Sequence, residues 1–134
     1  MGLRGPEKKM SEVEVQNNEE KEKLFNLIKA VIKALRHADD GSFDIYLDPP
    51  LYLSDNEFKS FFDEYDEFGG FVELGSYYFA ELYYITSMSK NDKDPNKCKE
   101  NRKHLTILFG IKDNGTYEVI NVKGSTELKI TDCP

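Results

Sequence analysis

Carboxylates are the residues of this chain most suited to chemistry. Asp63, Asp66 and Glu67 lie close together, and Asp44 and Asp48 fall on one side of a predicted strand. Grouped carboxylates can hold a hard divalent cation. The first set lacks the alternating spacing and internal glycine of a calcium loop, and the second has no third ligand. Asp113 with Glu127-Leu128-Lys129 has the acid, acid-x-Lys order of metal-dependent nucleases, where two carboxylates hold the ion and a lysine assists the water. Asp113, however, begins an Asp-Asn-Gly turn, which gives it a conformational role. His37 and His104 are the only histidines, and with Cys98 they match no zinc spacing. There is no Gly-x-Ser-x-Gly, no legible Cys–His pair and no glycine-rich phosphate loop. The residues therefore imply no catalytic site, no metal and no cofactor. The chain reads as non-enzymatic, with a metal-dependent hydrolase or nuclease using the middle carboxylates as the alternative.

The stretch Ser54–Met88 has a different use in view. From Phe58 to Tyr84 it holds eleven of the seventeen aromatic residues. The whole stretch also carries Asp55, Glu57, Asp63, Glu64, Asp66, Glu67, Glu73 and Glu81 against one base, Lys59. Charge is distributed accordingly: residues 1–37 have eight bases and six acids (+2), 38–89 one base and twelve acids (−11), and 90–134 nine bases and seven acids (+2). An acidic block disfavours direct contact with a nucleic-acid backbone, which needs clustered Lys and Arg. It suits a basic protein partner. Asp55, Glu57, Asp63, Glu64, Asp66, Glu67 and Glu73 are the candidate partner-binding residues.

These residues need elements to position them. The first sixteen residues are rich in Gly, Lys and Glu without periodicity, and read as a disordered tail or a leader. Residues 17–134 read as one α+β domain. Asn17 is a predicted N-cap, with Glu20 completing a capping box. Leu24, Leu27, Ile28, Val31 and Leu35 then recur at helical spacing, widened by Phe25 and Ile32. Phe43, Ile45 and Leu47 alternate as a strand, which Asp48-Pro49-Pro50 should end. Ser54-Asp55-Asn56-Glu57 is a second capping box, and Phe58, Phe61, Phe62 and Tyr65 predict a second amphipathic helix closed by Gly69-Gly70. Acids late in that helix oppose its dipole, which hints at a use for them.

Phe71–Leu74 and Ser76–Met88 read as strands. In the second, Tyr78, Ala80, Leu82 and Tyr84 share one face while Tyr77, Phe79, Tyr83 and Ile85 share the other. Both faces are apolar, so the second predicts a homodimer interface. Lys90–Arg102 reads as a charged loop. Leu105, Ile107, Phe109 and Ile111 form a strand, Asp113-Asn114-Gly115 a hairpin turn, and Tyr117 to Val122 the return. Gly124-Ser125 should turn again before a last short strand at Leu128 and Ile130. The predicted fold is α+β: two amphipathic helices packed on a mainly antiparallel sheet, in the order helix, strand, helix, β-meander. Cys98 and Cys133 read as free thiols in a reducing compartment, with a disulfide tying down the last strand as the alternative. No membrane span or secretory h-region is legible, so a cytoplasmic protein is expected.

The string Asp44-Ile45-Tyr46-Leu47-Asp48-Pro49-Pro50, followed by a capped helix with Glu57-Phe58 and aromatic-acidic strands, resembles the type I-D anti-CRISPR proteins of archaeal rod-shaped viruses. The resemblance covers roughly residues 43–112. It implies a small homodimer whose acidic surface binds the large subunit of a host CRISPR effector complex and inhibits it without catalysis, in the host cytoplasm. A structural or assembly protein is the remaining alternative.

Overall fold

The computed structural model describes residues 18–134, so the predicted tail and the Asn17 cap lie outside the described residues. Helix α1, Asn18–His37, opens on Glu19 and Glu20 and ends on Arg36 and His37, complementing the dipole at both ends. It buries Phe25, Ile28, Ile32 and Leu35, while Leu27 is 58% exposed. Of the predicted stripe, Ile28 and Leu35 with the widening Phe25 and Ile32 are buried, and Leu24 is partly buried against the core, so the stripe is rotated away from Leu27.

Five strands follow: β1 Ser42–Leu53, β2 Glu67–Leu74, β3 Tyr77–Lys90, β4 Lys97–Ile111 and β5 Tyr117–Asp132. All pair antiparallel in one sheet ordered β1-β5-β4-β3-β2. The first strand in sequence therefore lies beside the last. One face of the sheet carries the core, in which Leu47, Leu51, Leu53, Ala80, Leu82, Leu105, Ile107, Phe109, Val119 and Val122 meet Phe25, Ile28 and Ile32 of α1.

The predicted pair of helices on a sheet is not what forms. The second helix, α2, spans only Asp55–Ser60, followed by a 3-10 turn over Phe61–Glu64. Ser54 does cap it, with both capping-box bonds present. The chain then turns extended at Tyr65, because Glu67 and Phe68 pair with Tyr83 and Leu82 of β3. Gly69 is inside the strand, not at a helix end: a Cβ there would stand 2.7 Å from Tyr83 Cε2. Phe58 and Phe61 are still buried, so the aromatic stripe serves the core from a shorter element.

Three further expectations change. β1 runs through Pro49 and Pro50 as an edge strand, with its register broken between Tyr46 and Leu51 and a cis Asp48–Pro49 peptide. The predicted charged loop shrinks to residues 91–96, since Lys97 to Arg102 belong to β4. Two of their charges are met across the sheet, Lys97 by Asp132 and Arg102 by Glu127, whose Oε2 is 2.7 Å from Arg102 Nε. β5 does not turn at Gly124. A Cβ there would lie 2.5 Å from Phe43 Cε1 and 2.7 Å from Leu35 Cδ2, so this glycine lets β1 and α1 approach β5.

Two fastenings were not the leading expectation. Cys98 and Cys133 form a disulfide joining the start of β4 to the residue beyond β5. Lys103, 1% exposed, sends its ammonium to the Ala38 carbonyl and to Thr126 Oγ1. It ties the negative end of α1 to β4 and β5.

Candidate interaction surface

Residues directly opposite in neighbouring strands share a sheet face. Tyr83 opposes His104, which opposes Ser125, and Ile85 opposes Arg102, which opposes Glu127. These side chains lie on the face away from α1. That face also carries Phe79 opposite Leu108, Val72 opposite Phe79, and Leu74 opposite Tyr77.

The predicted dimer residues Tyr77, Phe79, Tyr83 and Ile85 are therefore together on one open face. Part of that face is covered by the chain itself. The Tyr83 ring stacks on His104 with centroids 4.7 Å apart and planes at 9°, and the Arg102 guanidinium lies 4.2 Å from the Tyr83 centroid. Arg102 bonds Glu127 and stands 3.8 Å from Glu100. His104 is 3.9 Å from both Glu81 and Glu127. Sequence reasoning missed this network because its members are spread over three strands, and only register brings them together. One cluster of exposed apolar side chains lies at the β2–β3 hairpin, with Val72, Leu74 and Tyr77 on this face and Phe68 and Phe71 on the other.

The seven candidate acids divide into two sets. Asp55 pairs with Lys59 at 2.9 Å and accepts from the Tyr117 hydroxyl at 3.0 Å, and these partners hold its carboxyl below the usual aspartate value. Glu57 is half-buried, which pushes its pKa up, but the Ser54 N–H at 2.9 Å and the Lys21 ammonium at 3.0 Å outweigh burial and leave it lowered. Glu64 pairs with Arg36 at 3.1 Å, whose guanidinium also lies 4.2 Å from the Tyr84 centroid. These three acids hold the molecule together. Asp63, Asp66, Glu67 and Glu73 are exposed and form no ion pair among the described residues. All four lie on, or just before, strand β2.

The other candidates for chemistry are not brought together. Asp113 is in the β4–β5 turn, whereas Glu127 faces Arg102 nine residues up the ladder from Ile111, roughly 30 Å away at the usual strand rise. His37 is exposed at the end of α1, His104 is on the open face, and Cys98 is in the disulfide. Among the described residues no three His, Cys, Asp or Glu side chains are grouped to hold a metal. A cleft of about 420 Å³ at the end of α1 is lined by Arg36, His37, Tyr84, Thr86, Asn101 and Lys103. Its Lys103 ammonium is already bonded to Ala38 and Thr126. No described helix is long and apolar enough to cross a membrane.

No protein-family model matches the sequence, and no curated protein matches it significantly. The fold is nonetheless similar to two solved structures from archaeal viruses. One is the thermo- and acido-stable ORF-99 of AFV1, with a TM-score of 0.63 and 17% identity over 81% of this chain and 97% of that one. The other is ORF14 of Sulfolobus islandicus filamentous virus, with a TM-score of 0.57 and 17% identity over 93% of this chain and 99% of that one. At this identity the likeness establishes a shared fold.

Proposed function

We propose that this chain is a non-enzymatic binding protein that occludes a basic surface of a protein partner. The observation that carries the reading is the division of the acids. Asp55, Glu57 and Glu64 are spent on internal bonds, but Asp63, Asp66, Glu67 and Glu73 stay exposed and unpaired around one strand. Like charges so grouped cost stability unless something basic meets them. The fold shared with archaeal virus proteins supports a viral origin. Together with the resemblance at Asp44–Pro50 it supports an anti-CRISPR role, in which the partner is the large subunit of a type I-D effector complex.

The test is inhibition of purified type I-D effector at two salt concentrations, by the parent chain and by a variant with Asp63→Lys, Asp66→Lys, Glu67→Lys and Glu73→Lys. Glu64 is left alone because Arg36 depends on it. The variant should inhibit less well, with the larger loss at low salt, where screening is weakest. A folded variant equally potent at both salts would sink the reading.

A further inference from the structure

Sheet edges expose unpaired backbone donors and acceptors, and proteins usually defend them. The two edges here are treated differently. On β1 the register is broken between Tyr46 and Leu51, and Pro49 and Pro50 remove two donors. β2 has no proline, and from Gly70 to Leu74 its ladder with β3 is unbroken. Its side chains are exposed on both faces: Phe68 49% and Phe71 55% on the core side, Val72 50% and Leu74 56% on the open side. Such a strand, regular and apolar on both sides, is unusual at a free edge.

The hairpin geometry says which backbone groups are available. A two-residue turn, Gly75-Ser76, joins Leu74 to Tyr77. The closing pair of such a turn exchanges both ladder bonds, and bonded pairs then alternate along the strands. Leu74 and Val72 therefore point their backbone groups at β3, and Phe71 and Glu73 point theirs outward.

We propose that the β2 edge is a docking site for an extended basic segment of a partner protein, which adds to the sheet as a sixth strand. The occupant's chemistry follows from charge. Asp63 lies in the 3-10 turn that leads into β2, Asp66 and Glu67 stand at its start and Glu73 near its end, and none has a base beside it. A second copy of β2 lying antiparallel on this edge would bring another set of the same carboxylates to the seam with no cation between them. A segment with alternating Lys or Arg relieves that charge, while its apolar residues, all on one face, extend either the Phe71 layer or the Val72 layer and its backbone bonds Phe71 and Glu73. This inference rests on the acidic-binding reading above and adds the geometry of contact.

The probe is an amidated peptide of alternating lysine and valine, about ten residues long, enough to span β2 at ~3.4 Å per residue. A glutamate–valine peptide is the control. Backbone amide exchange of the full chain is followed by NMR. The lysine peptide should slow exchange at Phe71 and Glu73 by about tenfold or more at saturation, and the glutamate peptide should not. Glu73→Gln should keep protection at Phe71, because it removes a charge but no N–H. Glu73→Pro should lose it, because it removes an outward donor without breaking a bond to β3. A peptide that shifts the resonances of Asp63, Asp66 and Glu67 without protecting Phe71 and Glu73 would overturn the edge proposal and leave the acidic-contact reading standing. A peptide that changes nothing would also overturn it, and the effector assay would then judge the broader reading alone. Protection that rises with protein concentration in the absence of peptide would assign the edge to a second copy, against the proposal.

Discussion

The Cys98–Cys133 disulfide makes the most quantitative prediction. The bridged residues are 35 apart in sequence. In the chain-entropy picture, closing a loop of that length removes about 13 cal/mol/K from the unfolded chain, or about 4 kcal/mol at 25 °C. For a domain of this size each kcal/mol moves the melting midpoint by about 4 °C, so reduction should lower it by about 15 °C. The structure says where the loss should show first. The bridge sits at the last rungs of the β4–β5 ladder, where Lys97 opposes Asp132 and Cys98 opposes Thr131. Nearby Leu128 and Ile130 are 61% and 49% exposed, so little apolar burial holds this end. What remains is the Lys97–Asp132 ion pair and the bond from the Cys133 N–H to the Asn96 carbonyl at 3.2 Å. Calorimetry with and without a phosphine reductant measures the shift, with mass spectrometry establishing the thiol state. Amide exchange should rise first at Cys98 and Thr131. Oxidised and reduced proteins melting within about 2 °C of each other would refute the argument, since the loop term alone exceeds that several-fold.

Gly124→Ala should destabilise the domain by about 1–3 kcal/mol in chemical denaturation, because the new methyl meets Phe43 and Leu35 at under 3 Å; an unchanged midpoint would show that those side chains can move aside. Glu57 predicts a pH effect. Its folded pKa lies below the ordinary 4.5, so its contribution is present above that value and fades as pH falls through the lower, folded one. Acid titration of the melting midpoint should therefore fall less steeply in Glu57→Gln than in the parent, and parallel curves would remove Glu57 from the account.

Local sequence determined those features whose causes are local. The Ser54 capping box forms because Ser54 and Glu57 are three residues apart and satisfy each other's backbone. The turn at Asp113-Asn114-Gly115 forms because Gly115 takes φ +84° readily. The alternation of Leu105, Ile107 and Phe109 announces a buried strand face, and the acidity of residues 38–89 is arithmetic. Tertiary structure decided the rest. Phe58, Phe61, Phe62 and Tyr65 have helical spacing, yet the helix stops at Ser60 because Glu67 and Phe68 gain a ladder with β3 that no local signal encodes. Gly124 looks like a turn residue until Phe43 and Leu35 are placed against it. Lys97 to Arg102 look like loop because the partners that Lys97 and Arg102 find are 35 and 25 residues away on β5. The acids look alike in sequence, and only packing separated Glu64, seated on Arg36, from Asp63, left to solvent. Strand pairing joins residues far apart in the chain, so which side chain is covered, bonded or left free on a sheet is settled by register.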